Sequence, residues 1–218
     1  IRDTSRGLVG SEMCIRDSRV SGKAAHAGLE PSKGVSAILE LSHVVQKLFA
    51  LNDPDSGITV NVGTIDGGMR PNVVAPESTA DVDVRVLTTQ QARQVEAAIR
   101  SLAPVTPGAV LTVEGDVDIP PLERTPRNRL LWRRAQAIAK EIDLDLEECL
   151  AGGGSDGNVA SLFAPTLDGL GPVGAGAHAT HEFIQLDSMV ERGALLALLL
   201  LEPPLNWQDE LEDPVESS

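Results

Sequence analysis

The apolar positions of this chain keep two rhythms, and the order in which they alternate sets the fold. The stretch RVSGKAAHAG reads as a short strand from Arg19 running into a glycine turn. Residues 34–52 then place Ile38, Leu41, Val45 and Leu48 three or four apart, the period of a helix with one buried face. Ile58, Val60 and Val62 alternate with polar neighbours, and Ala80, Val82, Val84 and Val86 alternate with Asp81, Asp83 and Arg85. A period of two marks a half-buried strand. TTQQARQVEAAIRSLA opens on a threonine cap and carries Val95, Ala98, Ile99 and Leu102 on one stripe, and AVLTVEGDV alternates again. The order is β-α-β-β-α-β, the split βαβ or ferredoxin-like arrangement. It puts both helices on one face of a four-stranded antiparallel sheet and leaves the other face partly polar, open to a partner.

DIPPLERTP, with three prolines, ends this pattern. After it the sequence predicts a helix (Leu131, Ala135, Ile138, Ile142), a short strand near LEECL, the loop AGGGSDGN and a short helix NVASLF. A strand TLDGLG, a glycine-rich loop with two histidines and a final helix from about Asp187 to Leu201 follow. This part is α/β in character and short for a domain of its own. NWQDELEDPVESS is an acidic tail. The expected fold class is therefore α+β: a ferredoxin-like unit at 19–118, the closing portion of an α/β domain at 119–205, and a tail at 206–218.

Residues 8–18, LVGSEMCIRDS, keep neither rhythm. Reverse translation gives, without a mismatch, an in-frame reading of an adapter used in transposon-based sequencing libraries. Residues 1–18 are expected to be non-native and are set aside from fold reasoning. Cys14 goes with them, leaving Cys149.

Composition narrows the chemistry. Among 218 residues there are three Phe, two Trp and no Tyr, so a core must be built from Val, Leu, Ile and Ala. A formal charge of −14 argues against nucleic acid as partner, because phosphate binding needs clustered Lys and Arg. It leaves an anionic small molecule open, since local fields can oppose net charge. The longest apolar run, GALLALLLLE, is too short to span a bilayer, and no membrane partner is expected. Two cysteines give no disulfide framework, and a cytoplasmic setting is the expectation.

Several polar residues stand where chemistry could be done. His178 and His181 lie in GPVGAGAHATHEF, where glycines let backbone approach a site and imidazole can bind metal; H-x-x-H alone is equally a pair of solvated loop residues. In GGGSDGN, Gly153, Gly154, Ser155 and Asp156 could present N–H groups to an anion, or Ser155 or Asp156 could simply cap the next helix. Arg70, Asn72 and Arg85 are donors suited to a carboxylate or an oxyanion. Strand alternation puts Arg85 on the polar face, where a cross-strand pair with a nearby Asp is the simpler outcome. His26 sits at a strand end before a turn and by itself reads as structural or solvated, and His43 reads as structural or surface. Glu147 and Glu148 are adjacent on a strand and point to opposite faces, which rules out a paired acid and base.

Four separated stretches, GKAAHAGLEPSKGVSAILEL, GTIDGGMRPNVVAPESTADVDVRV, GGGSDGN and LDGLGPVGAGAH, occur in an order and spacing that resembles the zinc-dependent amidohydrolase family of glutamate carboxypeptidase, acetylornithine deacetylase and aminoacylase. The resemblance runs from about Arg19 to Leu201. It implies a ferredoxin-like lid that mediates homodimerisation, inserted in an α/β catalytic domain. It further implies that His26 reaches across the dimer to polarise the scissile carbonyl, that Asn72 contacts the oxyanion and that Arg85 holds the substrate carboxylate. Residues 152–156 would line the substrate pocket, His178 would ligate zinc, and Glu182 is the acidic residue that follows. The family's further arginine near the return to the catalytic domain has no counterpart in DVDIPPLERT. Its H-x-D pair, bridging Asp and Glu-Glu pair, which precede the lid, are absent from this sequence, so one ligand of a two-zinc set is present. The expectation is a fragment of a hydrolase acting on a peptide or acyl-amino-acid amide bond next to a carboxylate, inactive by itself. N-acyl amino acids are the alternative substrate class. The alternative of another kind is a non-catalytic ferredoxin-like dimerisation or binding module.

Overall fold

The structure, a computed structural model, describes residues 6–9, 13–115, 119–150, 153–177 and 179–206, with side chains from Ser18 onward except Cys149 and Leu150. In chain order the first elements are β1 (Arg6–Val9), β2 (Met13–Ser21), α1 (Ala37–Phe49), β3 (Thr59–Gly67), β4 (Glu77–Arg85), α2 (Thr89–Arg100) and β5 (Val110–Val113). There follow α3 (Pro126–Glu141), β6 (Glu147–Leu150), α4 (Asp156–Ala160), β7 (Gly174–Ala175), β8 (Phe183–Ile184) and α5 (Leu186–Leu201). They form two compact units, one of residues 11–121 and one of residues 1–10 with 122–218.

In the first unit the strands order as β3-β4-β2-β5, every neighbour antiparallel. The first strand of the motif lies between its third and fourth, which is the ferredoxin-like order the sequence predicts. Ala80, Val82, Val84 and Val86 are all buried, as their alternation requires. They meet Ala37, Leu41, Val44 and Leu48 of α1 and Ala92, Val95 and Ile99 of α2 in one core. Ile38, expected in that core, is 48% exposed, and Val44 stands in its place. One residue along a helix turns about 100°, so a stripe seated on Ala37 and Leu41 carries Ile38 off the sheet. Ser36 caps α1 by accepting from the Leu39 N–H at 3.2 Å, and Thr88 and Gln91 form a capping box on α2.

β2 begins at Met13, before the strand start expected at Arg19, and its pairing with β4 slips by one residue between Ile15 and Ser18. Ser18 lies opposite Ala80 and Val113, fully buried, and its hydroxyl has no hydrogen-bond partner among the described residues. Glu40 is also fully buried, but it is satisfied: its carboxylate accepts from the N–H groups of Val105 at 3.0 Å and Thr106 at 2.6 Å. Burial pushes this carboxyl up, but the Thr106 hydroxyl, the two N–H donors and nearby His43 outweigh it and hold it below the usual glutamate range.

In the second unit, Thr125 caps α3 by accepting from the Asn128 N–H at 3.2 Å, with Pro126 at the first helical position. Trp132, Ala135, Ile138 and Ala139 of α3 pack with Leu146 and with Leu195 of α5. Leu131, expected in this core, is only partly buried, and Trp132 beside it does the packing. β1 pairs in parallel with β6, Arg6 opposite Glu147 and Val9 opposite Leu150. The expected strand TLDGLG is irregular: the Thr166 N–H goes to Asn128 Oδ1 at 2.9 Å and the Gly169 N–H to Asp168 Oδ1 at 2.6 Å, so side chains take donors that a ladder would need. α5 buries Ser188, Arg192 and Leu195 but leaves Leu186, Val190, Leu200 and Leu201 more than 70% exposed.

Two outcomes follow for the first unit. Ser18→Ala removes an unsatisfied buried hydroxyl and is expected to raise stability by about 1 kcal/mol, read as a higher urea midpoint. A carboxyl held below its unfolded value contributes stability above that value and loses it as pH falls through the folded one. Wild-type stability is therefore expected to drop below about pH 4.3. Glu40→Gln should be less stable at pH 7 and show a flatter acid dependence in urea titrations repeated across pH.

Candidate functional site

The end of β2 builds the first cluster. The Gly22 N–H donates to the Pro76 carbonyl at 2.7 Å, and a Cβ on Gly22 would lie 2.1 Å from the Val35 carbonyl oxygen, so only glycine permits this approach. Lys23 and Val35 exchange two bonds of 2.9 Å, the Val74 N–H donates to Ala25 at 2.9 Å, and the Ala27 N–H donates to the Asn72 carbonyl at 3.0 Å. His26 bridges Val73 in the same ladder. The chain thereby brings His26 and Asn72 together from positions 46 apart in sequence. Arg70, Pro71 and Val73 also line an open groove of about 540 Å³ with Ser36, Ile38 and Met69.

The His26 ring is oriented by its own turn. Nδ1 accepts from the N–H groups of Gly28 and Leu29, each at 3.2 Å. A neutral imidazole has one accepting and one donating nitrogen, so with Nδ1 accepting the proton sits on Nε2. The ring is exposed, and its outward nitrogen is a hydrogen-bond donor.

Arg85 is not part of that cluster. It ends β4 opposite Thr59, whereas Glu77 starts β4 opposite Ser21, beside the His26 ladder. Eight strand residues separate the two ends, roughly 26 Å. Asp83, two residues back on the same face, receives Arg85 Nε at 2.9 Å and Nη2 at 3.4 Å, a fork that fixes the guanidinium plane. This partner is a carboxylate, as expected, but it lies on the same strand and not across from Arg85.

In the second unit the glycine-rich loop enters α4. Gly153, Gly154 and Asp156 are exposed and Ser155 is half-buried. Ser155 caps the helix: its hydroxyl oxygen accepts from the Gly157 N–H at 3.1 Å, and its own N–H donates to Asn158 Oδ1 at 2.9 Å. Two of the N–H groups that an anion could use are taken up inside the loop. The Ser155 hydroxyl donates in turn to Asp168 Oδ2. Asp168 is a residue that sequence reasoning misses, since its only signal is an Asp-Gly pair inside a stretch that reads as strand.

His178 and Gly152 lie outside the described residues. Among the described residues, Gly169, Gly171, Pro172, residues 174–177, Glu182, Phe183 and Ile184 line an open groove of about 360 Å³. Gly176, at φ 77°, makes the turn between β7 and β8, where the Ala179 N–H donates to its carbonyl at 2.8 Å. His181 and Glu182 are exposed in this turn. Glu148, half-buried, pairs with Arg124 at 2.5 Å, an ion pair and not half of an acid–base couple. Among the described residues no three His, Cys, Asp or Glu side chains are grouped to hold a metal ion. A two-metal set of about five ligands therefore does not fit the described residues alone.

The M20 peptidase dimerisation domain matches residues 5–107. Over 188 residues the chain is 30% identical to the uncharacterized protein YqjE of Bacillus subtilis, covering 84% of this chain and 50% of that protein. Over 193 residues it is 28% identical to carboxypeptidase G2 of a Pseudomonas species, covering 84% and 45%. The crystal structure of a tripeptidase from Staphylococcus aureus superposes with a TM-score of 0.68 at 25% identity, covering 88% of this chain and 51% of that one. The chain spans about half the length of the curated relatives it matches.

The ring assignment of His26 can be read directly. Long-range proton–nitrogen correlation spectra of the neutral ring are expected to show a protonated Nε2 and an unprotonated Nδ1; the reverse pattern would remove the donor.

Proposed function

We propose, from the premise that this chain belongs to the M20 peptidase and amidohydrolase family and carries its dimerisation domain, that it is the lid and closing portion of a hydrolase cleaving an amide bond next to a carboxylate. Residues 19–118 are the lid, 119–205 complete a catalytic domain whose larger part precedes them in the relatives, 206–218 are a tail, and 1–18 are non-native. A glutamate-like leaving group is the first substrate class, and N-acyl amino acids are the alternative. The family is generally metal-dependent, with zinc the expected ion and His178 its expected ligand here. The described residues do not assemble that site, so by itself this chain is expected not to turn over substrate.

The observation that carries the reading is the separation of His26 from Arg85 along β4, with the His26 proton on its outward nitrogen. A substrate amide and its neighbouring carboxylate are a few ångströms apart, too close for one protomer to serve both. In a dimer, one protomer's Arg85 holds the carboxylate while the partner supplies the donor. That donor, Nε2–H of His26, is aimed at the carbonyl oxygen and strengthens as charge develops there, and Asn72 beside it adds a second donor. Gly153 and Gly154 keep the substrate path free of side chains, and Ser155 and Asp156 close its edge.

Mixing tests this arrangement. In the protein that includes the preceding half, His26→Ala and Arg85→Ala homodimers are each expected to be nearly inactive. Random re-pairing makes half the dimers hybrid, each with one site intact, so the mixture should recover about one quarter of wild-type activity. No recovery, with hybrids shown to form, would place both residues in the same site and overturn the reading.

A further inference from the structure

We infer that Asp168 is a positioning residue that clamps the glycine-rich loop at 153–156 to the glycine-rich stretch that begins at Gly169. The two stretches belong to separate motifs, and one carboxylate joins them: Oδ2 accepts from the Ser155 hydroxyl while Oδ1 accepts from the Gly169 N–H at 2.6 Å. The direction of the first bond is fixed by chemistry. An ionised carboxylate only accepts, and the other acceptor within reach of the Ser155 hydroxyl, Asn158 Oδ1, is farther away at 3.4 Å, so the hydroxyl hydrogen goes to Asp168. Hydrogen bonds to an ionised acceptor are about twice as strong as neutral ones.

Packing tightens the same joint. A Cβ on Gly157 would lie 3.2 Å from Asp168 Oδ2, 3.3 Å from Asp168 Cβ and 3.1 Å from Ser155 Oγ, so a side chain there would crowd the clamp. Asn158, buried, closes the other side by accepting the Ser155 N–H at 2.9 Å. At the other end of the loop there is room: a Cβ on Gly153 would meet nothing within 4 Å among the described residues. Asp168 therefore ties the end of this loop at Ser155 to Gly169, the first residue of the groove that runs on to Ile184. Its meaning for substrate placement rests on the hydrolase reading above; the clamp itself does not.

Amide hydrogen exchange on this chain tests it. Asp168→Ala and Ser155→Ala are each expected to speed exchange of the amides at 154–160 by about tenfold while α3 and α5 keep wild-type protection. The double variant should lose less protection than the two single losses added together, since the Ser155–Asp168 bond is missing from both singles. Ser155→Thr keeps the hydroxyl and should restore protection, and Asp168→Asn, which still accepts from Gly169, should fall between. Unchanged loop exchange in Asp168→Ala, no rescue by Ser155→Thr, or equal loss across α3 and α5 would overturn the clamp. Exchange needs no substrate, so such a failure sinks the clamp alone, whereas failed recovery in mixed His26 and Arg85 dimers sinks the hydrolase reading alone.

Discussion

Strand β4 is the constraint on which the first unit depends. It is paired on both sides, so its register fixes β2 and β3 at once, and its buried Ala80, Val82 and Val84 seat both helices. The same strand spaces the functional groups. The loop carrying Asn72 enters at its first residue and Arg85 leaves at its last, so the length of one rigid strand decides that two candidate groups cannot converge within one protomer. A loop in that position could flex to bring them together; nine paired residues cannot.

Buried polarity is handled in two ways that bear on how the unit tolerates change. Glu40 replaces water with two backbone donors and a hydroxyl, and so ties α1 to the turn at Val105 and Thr106 across 65 residues of sequence. Ser18 is buried without any such replacement among the described residues, at the register slip of β2. An unsatisfied group in the centre of a sheet is what local mismatch between a sequence and its fold produces. It falls at the last residue of the segment that keeps neither hydrophobic rhythm.

The four-stranded sheet and its topology are legible in the alternation of β4 and in the order of elements along the chain. Helix existence is legible too, but not always which residue faces inward. Ile38 and Leu131 both obey the helical period, yet Val44 and Trp132 take the buried positions, because orientation is chosen by the whole stripe and not by one member. TLDGLG reads as a strand because its composition allows one; Asn128 and Asp168 compete for its donors, and the hydrogen bond from Asn128 spans too much sequence to be visible in a local window. The candidate residues His26, Asn72 and Arg85 are recognisable by type and motif. Their grouping is not, since it depends on distances along β4, and the accepting role of Nδ1 depends on the path of the turn that follows His26.

α5 carries a consequence of another sort, for the chain as a material. Its exposed leucines and valine form a sticky stripe on a molecule that otherwise relies on like charge to stay apart in solution. That repulsion is a property of pH: near the isoelectric point of about 4.6 it vanishes while the stripe remains. The colloidal lifetime of the isolated chain is thus governed by charge regulation, and its purification belongs at neutral pH and low salt, well before folding stability becomes the limit.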